Sequence, residues 1–224
     1  MAKAEFKLTQ IRRQALDSPI IRLSIDIREG RRIPYGKYGD GVFKIDHNEV
    51  TSGMLVKSDQ LLCGMNRTRT LLNRRVRKLK GFNNKMMPEV GEKLIGLTNL
   101  PNKGMFNGQI WTSQADYSEF TLETSHRTVM QIENEAGKKA IQQCWFPEDI
   151  KMNSFSTKAQ LGRFMKENNI YSVDFGYALT VHKSQGDSYK RPIIFEEFLG
   201  NAENHKKWLY TAVTRASEKV FIVA

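Results

Sequence analysis

The chain is poor in the residues that staple or metallate small folds. Among 224 residues there are two cysteines, Cys63 and Cys144, 81 positions apart. A pair so placed reads as free thiols of a reducing compartment, not as a disulfide framework. Four scattered histidines, His47, His126, His182 and His205, share no metal-ligand spacing, so no metal site is expected. No stretch approaches the ~18 apolar residues of a membrane span. The opening MAKAEFKLTQIRR holds no apolar signal core. A cytoplasmic protein without a membrane partner is the expectation. The sequence also lacks a GxxxxGK[ST] phosphate loop. Val42–Asp46 (VFKID) ends in an aspartate but has no acidic neighbour, so an acidic magnesium-holding strand is missing too.

Acid is in short supply. Thirty-five Lys and Arg stand against 24 Asp and Glu, a formal charge of +11. Nucleic acid is the usual partner for such a surplus. The bases are also clustered. From Arg67 to Lys80 the run RTRTLLNRRVRKLK holds seven basic residues and no acid. On a helix, Leu71, Leu72, Val76 and Leu79 would form one apolar stripe and leave the bases on the other face. That face reads as a phosphate-contacting surface, with Arg74, Arg75 and Arg77 foremost, or else as a solvated helix.

Strand, polar turn and helix recur along the chain, the unit of a parallel α/β sheet. Leu8–Gln14 reads as a turn. Pro19–Ile27 reads as an amphipathic helix, with Ser18 as N-cap, Pro19 at the first helical position and Gly30 past the end. Residues 31–41, rich in Gly, Pro and Tyr, read as loop before a short strand over Gly41–Ile45. Gln60–Met65 reads as a buried strand, and Asn66 opens the basic helix. Beyond Gly81 the character changes. Short strand-like runs at Gly91–Leu97, Asn107–Trp111, Tyr117–Glu123 and Thr128–Glu133 suggest a small β-barrel or meander. Phe155–Asn168 reads as a helix. Tyr171–Val181 returns to sheet. The expected organisation is an α/β lobe over 1–85 and 172–224, with a β-rich insertion over 86–171.

Two segments near the end carry the most information. TVHKSQGDSY, Thr180–Tyr189, is a buried strand opening into a polar glycine-bearing loop. WLYTAVTRASEKVFIV, Trp208–Val223, reads as a helix carrying Thr214 and Arg215 before a final strand. Together they resemble motifs V and VI of superfamily 1 helicases, the RecD and Dda type in particular. LLCGMNRTRTLLNRRV, Leu61–Val76, resembles motif IV, with Asn66 and Asn73. GEKLIGLTN and GMFNGQI, between Gly91 and Ile110, resemble the segment that leads into that family's inserted barrel. LTQIRRQALDSPII, Leu8–Ile21, resembles the family's arginine-bearing segment. Gln14 and Ala15 follow Arg13, which makes it the matching arginine. Arg12 stands where the family often has an aromatic. Asp187-Ser188 stands where it often has Ser-Glu.

The resemblance implies the second of two RecA-like lobes, a P-loop-NTPase-type parallel sheet without its own phosphate loop, carrying a Src-homology-3-like barrel. It implies arginine fingers at Arg13 and Arg215, nucleotide contacts at Gln185 and Gly186, and single-stranded DNA contacts at Thr180, His182 and Lys183. Asn66, Asn73 and the basic helix would add further DNA contacts. ATP and Mg²⁺ would be engaged only with the missing first lobe, so no cofactor and no hydrolysis are expected of this chain alone. The parent reaction is ATP-driven 5′-to-3′ movement on DNA. Further partners would be the first lobe and the subunits of a nuclease–helicase complex. The start at MAKAEFKLTQ, where a first lobe should have ended, fits a truncated or split motor. A second reading is a stand-alone single-strand-binding or adaptor module descended from such a lobe.

Overall fold

A computed structural model describes residues 18–83, 88–114, 118–122, 125–145 and 157–224. Arg13 and the expected turn at Leu8–Gln14 lie outside the described residues. The chain divides into two compact units, Met1–Lys80 with Ala178–Ala224, and Gly81–Tyr177.

The first unit is a mixed α/β layer. Helix α1 (Pro19–Arg28) starts at the expected proline, although the Ser18 side chain makes no capping bond. A hairpin follows, β1 (Gly36–Gly39) and β2 (Val42–Ile45), so the expected loop contains a strand. Then come α2 (Ser52–Lys57), β3 (Leu61–Cys63) and α3 (Asn66–Leu79). After the second unit the chain returns as β10 (Ala178–Thr180), β11 (Ile193–Phe195), α5 (Ala202–Val213) and β12 (Val220–Val223). The sheet order is β1-β2-β12-β11-β3-β10. Only the β1–β2 pair is antiparallel; the other four pairings are parallel. Leu61, Leu62, Ala178, Leu179, Ile194 and Ile222 are almost fully buried. Such unbroken apolar runs suit parallel strands covered on both faces. Each large aliphatic side chain withdrawn from water contributes about 1.5–3 kcal/mol.

The second unit is a ring of strands. It comprises β4 (Lys93–Gly96), β5 (Ile110–Ser113), β6 (Ser118–Leu122), β7 (Ser125–Asn134), β8 (Lys139–Trp145), α4 (Lys158–Glu167) and β9 (Tyr171–Phe175). Pairings run β5-β4-β9-β8-β7, and β7 pairs back to β5, while β6 hangs from β7 as a hairpin. Leu94, Met105, Trp111, Ile132 and Val173 fill the interior around Tyr171. The Trp111 indole donates to the Tyr171 hydroxyl (3.2 Å), which donates to the Phe106 carbonyl (2.6 Å). Gly96 is required here, because a Cβ would sit 1.8 Å from the Tyr171 hydroxyl. Helix α4 has Thr157 as its N-cap, and the Thr157 hydroxyl and Gln160 form a capping box; Phe155, where the expected helix began, lies outside the described residues.

One expected boundary moves. Tyr171–Val181 reads as a single apolar run, yet it holds two strands of different sheets, β9 and β10. They are separated at Gly176, where a Cβ would press on the Leu94 backbone at 3.1 Å. Residues 172–177 therefore belong with the β-rich unit.

Candidate nucleic-acid interface

Strands β11, β3 and β10 lie side by side and parallel, so their C-terminal ends open on one edge of the sheet. Open α/β sheets characteristically gather ligands at this edge. Three loops meet there.

The loop after β3 is Gly64-Met65, running into α3. A helix N-terminus with free backbone N–H groups attracts anions. Here the chain supplies its own. One Glu197 carboxylate oxygen accepts from the N–H groups of Gly64 (2.5 Å) and Met65 (2.9 Å). The other accepts from the Thr68 hydroxyl. A Cβ on Gly64 would lie 2.8 Å from Leu199 Cδ1 and 3.1 Å from that carboxylate. The donors that a helix N-terminus offers to an anion are thus taken here by a side chain.

Helix α3 corrects the expected stripe. Its buried face is Arg69, Leu72, Asn73, Val76 and Arg77, spaced as one helical stripe. Leu71 and Leu79 are exposed instead. Asn73 is only 2% exposed. Its amide donates to the Ala178 carbonyl (3.3 Å) and accepts from the Ala178 N–H (2.8 Å). That side chain therefore clamps β10 rather than offering a nucleic-acid contact. Arg77, 4% exposed, is also inside. Long arginine stems pack readily as apolar matter, a possibility that a strict apolar-versus-basic partition overlooks. Asn66, Arg67, Arg74, Arg75, Lys78 and Lys80 are on the surface.

The loop after β10 is a turn of 3₁₀ helix, Val181–Ser184, locked by the Ser184 hydroxyl donating to the Val181 carbonyl (2.8 Å). Thr180 is buried at the strand end, so its side chain does not face solvent. His182, Gln185 and Gly186 are exposed and Lys183 is half-buried. Gly186 has φ +98 with open space where a Cβ would stand.

Arg215 is folded against this loop. Its Nη1 donates to the Asp187 carbonyl (3.2 Å), and its Nε to the Thr211 carbonyl (3.3 Å). Arg215 lies past the end of α5, not on it as expected, because Thr214 caps the helix and Tyr189 pairs with Ala216. The Tyr189 N–H donates to the Arg215 carbonyl (2.7 Å). Burial, the Asp187 charge and the hydrogen bond to Asp187 hold the Tyr189 phenol far above its ordinary pKa, against the opposing pull of Arg215. It is a neutral fastener between the loop and Arg215.

The third loop follows β11 and leads to α5. Sequence reasoning missed it, since nothing in FEEFLGN marks Glu197 or Phe198 as special before the strands are aligned. Leu199 and Gly200 share a cleft of about 450 Å³ with His182, Gln185 and Lys207.

Residues 175–223 match the UvrD-like helicase C-terminal domain. The match spans β10, the His182 loop, Arg215 and β12. The fold of the chain is similar to that of Pif1 helicases. The Bacteroides Pif1 helicase in complex with ADP-AlF3 and ssDNA is 15% identical, with a TM-score of 0.52 over 92% of this chain and 49% of that one. The Candida albicans Pif1 helicase is 12% identical, with a TM-score of 0.53 over 94% of this chain and 54% of that one. A structure of two coordinating Pif1 helicases at forked dsDNA gives 15% and 0.53, over 92% and 47%. The chain therefore spans about half the length of these solved chains. No curated protein matches the sequence. Among the described residues, no three His, Cys, Asp or Glu side chains group as a metal site. No described helix is long and apolar enough to cross a membrane.

Proposed function

We propose that this chain is the second RecA-like lobe of a superfamily 1B DNA helicase of the RecD/Dda type, with a Src-homology-3-like barrel inserted in it. The parent motor couples ATP hydrolysis to 5′-to-3′ movement on single-stranded DNA in the cytoplasm. This lobe supplies arginine fingers, Arg215 and Arg13, and part of the strand-binding surface. Gln185 and Gly186 approach the nucleotide, while His182, Lys183, Asn66, Arg74 and Arg75 approach the strand. ATP and its magnesium are held mainly by the first lobe, and this chain alone does not turn over.

One observation carries the reading. The Arg215 guanidinium lies beside the Gln185–Asp187 loop, 3.2 Å from the Asp187 carbonyl. Phosphoryl transfer spreads negative charge over oxygens, and a guanidinium brought up from a second lobe stabilises it. Among the described residues its hydrogen-bond partners are two carbonyls and the Thr214 hydroxyl, neutral groups that keep the guanidinium positive for an anion. The filled N-terminus of α3 supports the same division of labour.

The test adds a separately produced first lobe. DNA-stimulated ATP hydrolysis should appear only in the mixture, and Arg215→Ala should lower turnover about 10³-fold. Turnover by the chain alone, abolished by the same substitution, would sink the split-motor reading. The adaptor reading is favoured by the exposed bases of α3 and predicts strand binding with no restored hydrolysis.

A further inference from the structure

The loop after β11 carries an aromatic ring in an unusual setting. Phe198 is 65% exposed. Single exposed aromatics are common, but this one is backed and fixed. Its ring stacks on His205 at 5.4 Å, and His205 stacks on the buried Trp208 at 6.1 Å. Both His205 nitrogens are engaged, Nδ1 with the Glu197 carbonyl (3.1 Å) and Nε2 with Glu196 (2.9 Å). The base of the loop is tied by Glu197 to Gly64 and Met65. Three aromatic rings thus form a column from core to surface, and the outermost keeps an open face.

The charges around the column suit a polyanion. Glu197 is consumed by backbone N–H groups, and Glu196 by Lys44 (2.6 Å) and His205. Neither carboxylate faces outward unbalanced. Glu203 pairs with Lys206 (2.7 Å) and more loosely with Lys207 (3.5 Å). Lys207 and His182 line a cleft with Leu199, the chain neighbour of Phe198, and exposed Arg67 stands next to Thr68, whose hydroxyl bonds Glu197. An open aromatic face flanked by cations is how proteins grip single strands without reading sequence.

We propose that Phe198 is a stacking platform for one base of a single-stranded nucleic acid, with Lys207, His182 and Arg67 taking flanking phosphates. This rests on the strand-binding reading above and adds a residue outside the helicase-like motifs. Because the ring is already immobilised by His205, stacking costs little further ordering.

The experiment measures fluorescence anisotropy of a labelled dT oligonucleotide and of an abasic oligonucleotide of equal length. Phe198→Ala should weaken dT binding about tenfold and leave abasic binding unchanged. Phe198→Trp should retain dT affinity. Phe198→Leu, which fills the same space without a π-face, should behave like Ala. If the unaltered chain binds no dT, the strand-binding reading falls and the platform with it. If the chain binds dT but the Ala variant binds equally, or Leu restores affinity, the platform is overturned while the broader reading stands.

Discussion

The Glu197 carboxylate accepts from the backbone N–H of Gly64 at 2.5 Å, across 133 positions of sequence. This bond joins the loops after two neighbouring strands and places a negative charge on the N-terminus of α3, where the helix dipole favours it. Glu197→Gln keeps the shape and removes the charge. It should lower unfolding free energy by about 1–3 kcal/mol, as for hydrogen bonds to charged groups. Urea unfolding reads this directly. An unmoved midpoint would mean that water serves those N–H groups equally well.

Asn73→Ala should cost about 1–3 kcal/mol, because the backbone N–H and carbonyl of Ala178 lose buried partners. Single-strand affinity of the folded variant should be unchanged. A clear loss of binding at unaltered stability would return Asn73 to the interface.

Arg74 and Arg75 are on the exposed face of α3. Changing both to Glu should weaken dT binding and flatten the slope of log K against log salt, since fewer counterions are released. Stability should move by no more than about 0.5 kcal/mol. Arg77→Glu, in a buried position, should instead cost roughly 3 kcal/mol or more. Equal behaviour of all three arginines in both assays would contradict the burial pattern.

Alkali should destabilise the fold. Burial first, and then the Glu197 charge, push the Cys63 thiol up to about 12, with Arg69 opposing. Burial likewise raises the Tyr171 phenol to about 12, against the lowering effect of its hydrogen bond with Trp111. An unfolded thiol titrates near pH ~8.5 and an unfolded phenol near ~10. The folded values lie higher, so the unfolded chain releases protons first. Their contribution is fully present below about pH 8.5 and is lost as pH rises towards 12. Urea midpoints at pH 7 and about pH 10.5 should differ accordingly, and Cys63→Ala should reduce the difference. The same burial predicts that Cys63 alkylates slowly until the chain unfolds.

Sequence by itself determined the parallel α/β class, the β-rich middle and the likeness of the stretch with His182 and Arg215 to a helicase C-terminal domain. These were legible because buried parallel strands need continuous apolar runs, and because loop residues after them break those runs abruptly. The helix at Pro19 and the final strand at Val220 follow from the same local signals. Local signals were silent on partners distant in the chain. The stripe on α3 could be drawn through Leu71 and Leu79 or through Arg69 and Arg77, and propensity does not choose between them. Packing against β3 and β10 chose, since Asn73 has to meet Ala178. The split of Tyr171–Val181 between two sheets, the capture of Gly64 by Glu197 and the stacking of Phe198 on His205 were decided only by tertiary structure. Each joins residues whose proximity depends on strand order, and strand order is a property of the assembled sheet rather than of any window of sequence.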